Sequence, residues 1–214
     1  MYQFIKRFRE LPTAPATPRE SFLFVETGGQ PYKLTAPTIG GSVPAAVAAY
    51  VAARHVGVGL VNQTTLTLTA LPQTVVDATE YQGDKIWTFP EGRILVLGAV
   101  ATLAQTTTSI LADTLNASST GAVGVGTTTA TATTLATTTQ NLIPTTAFTS
   151  SATINVAGTA VSAPLAASAQ FDGTTTAVVA FLNSAFATTA NVDADATMTW
   201  TGTVKLTWIN LGDY

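Results

Sequence analysis

Ala196-Thr-Met-Thr-Trp-Thr-Gly-Thr-Val-Lys-Leu-Thr-Trp-Ile-Asn-Leu211 is the stretch whose reading decides the fold. Met198 and Trp200 alternate with Thr197, Thr199 and Thr201, and past Gly202 the apolar Val204, Leu206 and Trp208 alternate with Thr203, Lys205 and Thr207. A period of two in β-branched and aromatic residues is a strand signature, and Gly202 allows a bulge or turn within it. One apolar face on one strand is not stable in water. The segment therefore predicts a β-sandwich or barrel, built from earlier residues, which this strand locks together.

The same signature recurs upstream. Thr64-Thr-Leu-Thr-Leu-Thr-Ala70 alternates cleanly, Thr74-Val-Val-Asp77 is short, and Gln82-Gly-Asp84 turns into Lys85-Ile-Trp-Thr-Phe89. After the turn Pro90-Glu91-Gly92, the run Arg93-Ile-Leu-Val-Leu-Gly-Ala-Val-Ala-Thr-Leu103 is almost continuously apolar. Such a run predicts a strand buried on both faces, or one crossing between two sheets, deep in the core. Ala45 to Arg54 is ambiguous: alanine favours helix, the valines and Val56-Gly-Val-Gly-Leu-Val61 favour strand, and the reading adopted is strand.

Residues 104–168 are mostly Thr, Ala, Ser and Gly. Low complexity of this kind suits a disordered Ser/Thr-rich stalk. The recurring hydrophobics and the alternation of Ala152-Thr-Ile-Asn-Val156 argue instead for short strands and turns, with Gly121-Ala-Val-Gly-Val-Gly126 supplying turn flexibility. Val178-Val-Ala-Phe-Leu182 adds a strand after the turn residues Asp172-Gly173. Strands every 8 to about 12 residues, punctuated by Gly, Pro, Asn and Asp, describe an all-β chain of the jelly-roll or β-sandwich kind. That body spans residues 43–214.

Residues 1–42 read as an extended N-terminal arm. Pro12, Pro15, Pro18, Pro31 and Pro37, with Gly28, Gly29, Gly40 and Gly41, favour an extended, poorly hydrogen-bonded course, although Ser21-Phe-Leu-Phe-Val-Glu26 could add one edge strand. Phe4, Phe8 and Leu11 share one helical face with Ile5 beside it, whereas Lys6, Arg7 and Arg9 point elsewhere, and Pro12 ends the pattern. A helix of about eleven residues is marginal in water and forms only when docked. It is a frayed terminus or a helix packed on its own body, or else it anchors the chain to a partner surface through Phe4, Lys6, Arg7, Phe8, Arg9 and Leu11.

At 214 residues the chain can bury about 70% of its surface without staples, in keeping with its lack of cysteine. Charged residues make up 10%, against roughly 25% in an average domain. Threonine supplies the polarity instead, and a nearly uncharged polar surface lets many copies pack with little repulsion. The net charge is −3, and no Lys or Arg occurs from Ile94 to Val204. No basic stripe is present to neutralise phosphates, which argues against nucleic acid as a partner. No signal peptide is expected, since Met1–Glu10 puts its charges after the apolar residues and lacks an apolar h-region, and no membrane segment, since the best apolar run, Ile94 to Ala104, is short of the roughly 20 residues needed.

Reaction signatures are missing. His55 is the only histidine, and without cysteine the usual nucleophile-base pairs have almost no members. The acids Asp77, Glu80, Asp84, Glu91, Asp113, Asp172, Asp193 and Asp195 read as turn residues and strand-end solvators, so no catalytic residue is nominated. Asn191-Val-Asp193-Ala-Asp195 alternates oxygen ligands as a calcium loop begins, yet lacks the glycine and distant glutamate of an EF-hand. A polar turn leading into the final strand is the alternative. No metal and no cofactor is assigned.

Phe89-Pro-Glu-Gly-Arg-Ile-Leu-Val-Leu-Gly98, the Thr/Ala-rich middle, Gln170-Phe-Asp-Gly-Thr174, Phe181-Leu-Asn183, Asp193-Ala-Asp-Ala-Thr197 and the closing Thr203-Val-Lys-Leu-Thr-Trp-Ile-Asn-Leu-Gly-Asp-Tyr214 together resemble tailed-bacteriophage virion structural proteins, the small β-rich proteins that decorate or cement capsids. The resemblance covers about residues 85–214. It implies a jelly-roll body, symmetric assembly (often a homotrimer), and a non-enzymatic role on the capsid exterior, binding and stabilising the shell of major capsid protein. The competing class is a carbohydrate- or receptor-binding module of a head fibre, tail or adhesin. That reading needs exposed aromatics in a groove, for which Trp87, Trp200 and Trp208 are the large candidates; their strand positions favour burial.

Overall fold

A computed structural model describes residues 23–27, 30–34, 41–58, 61–76, 79–109, 120–149, 156–157, 169–186 and 196–212. The chain divides into two compact units, Met1–Ile39 and Gly40–Tyr214. In the first, β1 (Leu23–Thr27) and β2 (Gln30–Leu34) form a two-stranded antiparallel sheet, with Leu23 opposite Leu34 and Thr27 opposite Gln30. Of the Ser21–Glu26 segment, Leu23–Glu26 thus gains a partner of its own, where the proline content had suggested a poorly hydrogen-bonded course. The signal was the intervening Gly28-Gly29, a favoured two-residue hairpin connection.

The second unit is all-β. Its strands are β3 (Val51–Val58), β4 (Val61–Val75), β5 (Tyr81–Thr88), β6 (Gly92–Ser109), β7 (Thr120–Gly126), β8 (Ile143–Thr149), β9 (Val156–Ala157), β10 (Gln170–Gly173), β11 (Val179–Phe186) and β12 (Ala196–Asn210). One sheet runs β10-β6-β12-β4-β3, with β9 paired to β6, and the other runs β5-β11-β7-β8. All pairings are antiparallel, and the two sheets pack against each other as a β-sandwich. Ala45 to Arg54 resolves into a short 3-10 turn, Ala45–Val47, followed by β3, so alanine prevails only over its first residues.

β12 is the central strand of the larger sheet, paired to β4 on one side and β6 on the other along nearly its whole length. Met198, Trp200, Val204, Leu206 and Trp208 are all buried, as the alternation requires. Gly202 sits at a bulge with φ +137°, where a Cβ would lie 2.1 Å from the Thr102 carbonyl oxygen. Between the sheets the aromatics meet edge to face: Phe89 on Trp208 at 5.5 Å, and Phe148 on Trp200 at 5.2 Å and on Phe186 at 5.6 Å. Each such pair adds roughly 1 kcal/mol to the burial of its rings.

Three expectations need correction. β6 is buried on one face only: Ile94, Val96, Ala99, Ala101 and Leu103 point inward, while Val100 is 44% exposed. The apolar run lost its alternation because of a register shift opposite Thr207/Trp208, which changes the parity of the inward positions. The glycines of Gly121–Gly126 belong to a strand, β7, and permit close approach: a Cβ at Gly121 would lie 2.4 Å from the Phe148 ring. Gln82-Gly-Asp84 likewise lies within β5, and its Gly83 is packed under the side chain of Asn183.

Candidate functional surface

One buried polar cluster ties the two sheets together, and a second lies within the larger sheet. Gln73 of β4 reaches the other sheet, donating from Nε2 to the Leu182 carbonyl of β11 at 2.8 Å. Its Oε1 accepts from the Ser184 hydroxyl and, at 2.8 Å, from the Trp200 indole N–H. Beside it, Asp84 of β5 has one carboxylate oxygen buried with no hydrogen-bond partner among the described residues. Burial raises its pKa above the ordinary carboxylate value, while the amides of Gln73 and Gln82 pull it down.

The second cluster is under β3. Trp208 donates to the Thr64 hydroxyl at 3.0 Å, and His55 Nδ1 lies 3.2 Å from the same oxygen with its ring 5.6 Å from that of Trp208. His55 is therefore held by the core side of its own sheet, and no carboxylate completes a Ser-His-Asp arrangement in these contacts. On the outer side of the smaller sheet, Asn183 pins the β7–β8 connection. Its Oδ1 accepts from the Ala130 N–H at 2.9 Å and its Nδ2 donates to the carbonyls of Thr128 and Thr139 at 2.9 and 2.8 Å.

Among the described residues, the outer face of the larger sheet is the broad surface left open. Register places Thr67, Thr203 and Thr102 side by side on β4, β12 and β6, and the next row is Arg54, Thr65, Lys205 and Val100. Threonine on a pleated surface keeps that face polar without charge. At one side Arg54, Val56, Val61, Gln63, Thr65 and Thr207 line an open depression of about 360 Å³. At the β10 end Asp172 accepts from the Thr174 N–H and hydroxyl at 3.1 and 2.7 Å, which, with Arg93 nearby, lowers its pKa.

Of the residues nominated from sequence, the arm set Phe4, Lys6, Arg7, Phe8, Arg9 and Leu11 lies outside the described residues, as do Asn191, Asp193 and Asp195. Among the described residues, no group of three or more His, Asp or Glu could hold a metal ion. No helix among them is long and apolar enough to cross a membrane. Trp87, Trp200 and Trp208 are 2%, 0% and 0% exposed, so none can stack on a sugar at the surface. Gln73 and Asn183 went unnoticed in the sequence; a glutamine at an inward strand position, Gln73 between Leu71 and Val75, was the available signal.

The fold defines the chain as an antiparallel two-sheet β-sandwich with an open threonine-rich face. No family model, curated protein or solved structure matches it.

Proposed function

We propose that the protein is a virion structural component of the tailed-bacteriophage kind, a non-enzymatic decoration or cement protein on the capsid exterior that binds the major capsid protein shell and further copies of itself. The sandwich is a jelly roll in this reading. Its support is the strand order: β4-β12-β6-β10 faces β5-β11-β7-β8, eight strands with a chain that passes repeatedly from one sheet to the other. β3 then extends the first sheet by one strand.

The observation that carries the function is the open face of the larger sheet. Long strands of 15, 18 and 15 residues, β4, β6 and β12, make it wide, and its central rows hold threonine with Arg54 and Lys205 as their charges. A wide, nearly neutral face is suited to packing against other folded surfaces, where many modest contacts repeated by symmetry hold a shell through avidity. The resemblance in residues 85–214 points to the same role. With its three tryptophans in the core, the carbohydrate-binding alternative has lost its candidate residues.

The test is co-sedimentation of the purified chain with undecorated capsid shells, followed by cryo-electron microscopy of the pellet. Added density on the shell exterior is expected, and a chain lacking residues 1–20 should stay in the supernatant with its melting transition unchanged. Undiminished binding by the truncated chain would remove the arm from the mechanism. Absence of binding by the full chain would remove the shell.

A further inference from the structure

Among the described residues, the edge strand β3 is the longest unbroken run of unpaired strand edge in the sandwich. It pairs with β4 over all eight residues, Val51 to Val58, without a bulge, and among the described residues nothing pairs with its other side. Natural sheets blunt such an edge with brevity, proline, charge or a bulge. The other edge strands of the sandwich have these devices: β10 is four residues long, β8 carries Pro144, and β5 carries Asp84 and Lys85 opposite a register shift, while beside β10 and β9 the strand β6 is open among the described residues only in the shorter runs 96–101 and 104–109. β3 has only Arg54.

Val51 is buried and His55 half-buried, but the other described side chains of β3 are exposed, on both faces. Pairing with the inward Leu66 makes Ala53 an inward residue, yet Ala53 is exposed, so cover on the inner face of β3 gives out beyond Val51. On the outward face Val56 is 44% exposed, with Val61 at 39% on the neighbouring strand and Tyr50 at 38% just before β3. These are three of the six exposed large hydrophobics among the described residues.

We propose that β3 is the self-association edge of this protein: two copies pair β3 to β3, antiparallel, about a two-fold axis at His55. The register follows from face and charge. Residues opposite each other in an antiparallel pair share a face, so the axis must pass through a residue and not between two. An axis at Arg54 would set two guanidinium groups directly opposite, which is destabilising. An axis at Ala53 pairs only residues 51–55. The axis at His55 pairs residues 52–58, puts Arg54 of each copy opposite Val56 of the other, and places Ala53 against Gly57. Two five-strand paths become one continuous sheet. Such an isologous contact closes as a dimer, so the order is two and not the trimer implied by the resemblance.

The contact deepens the self-association part of the proposed function, and its test needs no shell, so either can fail without the other. The strand pair is small beside the roughly 1,200 Å² of a stable interface, so the dissociation constant should be micromolar or weaker. Sedimentation equilibrium of the purified full chain should show a monomer–dimer equilibrium. Val56→Lys, at an exposed position, sets two Lys–Arg54 pairs across the axis and should weaken the dimer roughly fivefold; Val56→Glu should strengthen it by a similar factor. His55→Cys introduces a cysteine into a chain that has none. Its two copies should form an intermolecular disulfide, since opposite Cα atoms lie about 4.5–5.5 Å apart, whereas Arg54→Cys, on a diagonal of about 7–8 Å, should not. A chain that stays monomeric, a trimer, or a dimer that Val56→Lys and Val56→Glu shift in the same direction overturns the proposal.

Discussion

The indole N–H of Trp200 donates to the side-chain oxygen of Gln73 at 2.8 Å, joining residues 127 apart in sequence on neighbouring strands of one sheet. The same oxygen takes the Ser184 hydroxyl from the opposing sheet, and the Gln73 amide returns a bond to the Leu182 carbonyl. One side chain thus satisfies two buried donors and a carbonyl across the sandwich. In a low-dielectric interior such a group fixes how one sheet sits on the other, because a slip would strand every member.

Gln73→Leu keeps the volume and removes the acceptor. The Trp200 N–H and Ser184 O–H are then buried without a partner, at about 1–3 kcal/mol each. A loss of about 3 kcal/mol or more in urea unfolding is expected. A loss below about 1 kcal/mol would mean that the two sheets are not held in register here.

Gly202 is the second point of high leverage. Its φ of +137° is closed to residues with a side chain, and a Cβ would meet the Thr102 carbonyl at 2.1 Å. Gly202→Ala should destabilise the fold by about 3 kcal/mol, because it strains β12 against both neighbours. Thr203→Ala, next along the strand on the open face, should cost under about 1 kcal/mol. Thermal melts of the two variants give the comparison, and similar losses would contradict the bulge.

β12 was legible in the sequence because its alternation is uninterrupted and its partners on both sides are long. β6 was harder to read: with Leu95, Leu97 and Val100 on the outward side, composition cannot distinguish a strand buried twice from one that turns leucine and valine toward solvent. The Ala45–Arg54 ambiguity has a physical source too, since three residues of turn followed by a strand give neither period a full window. Gln73 and Asn183 act on partners more than forty residues away. No local pattern encodes such contacts. His55 drew attention as the sole histidine, yet its place between Thr64 and Trp208 depends on the β3–β4 and β4–β12 registers.

Asp84 gives the fold a pH dependence of definite sign. Burial raises its folded-state pKa above the value it has when unfolded. Between those two values the folded chain binds more protons than the unfolded one, so this group's contribution to stability falls as pH rises through the window. Asp84→Asn removes the carboxyl and keeps an acceptor for the Gln73 and Gln82 amides. The variant should melt higher than the parent at neutral pH, and the difference should vanish toward pH values below the ordinary carboxylate range. Asp172, lowered by Thr174 and Arg93, has the opposite sign: Asp172→Asn should show its loss at neutral pH and none in acid. Melting curves across pH decide both, and a gap for Asp84→Asn that widens in acid would reverse the argument.

Asn183 should hold a local unit more than the whole fold. Its three bonds reach Ala130, Thr128 and Thr139, all in the β7–β8 connection, and beneath that connection Ala130, Leu135 and Ala185 form a small apolar cluster with Tyr81. Asn183→Ala leaves the Ala130 N–H without its acceptor and frees two carbonyls, whereas Gly83, packed under the lost side chain, keeps its strand pairing. With the pins gone, the connection is retained by the cluster alone, too small to resist opening on its own. Amide exchange across residues 127–142 should then quicken roughly tenfold or more, while β12, whose bonds lie in the other sheet, keeps its protection. Hydrogen-exchange mass spectrometry separates the two regions directly, and an equal rise in both would make Asn183 part of the global core.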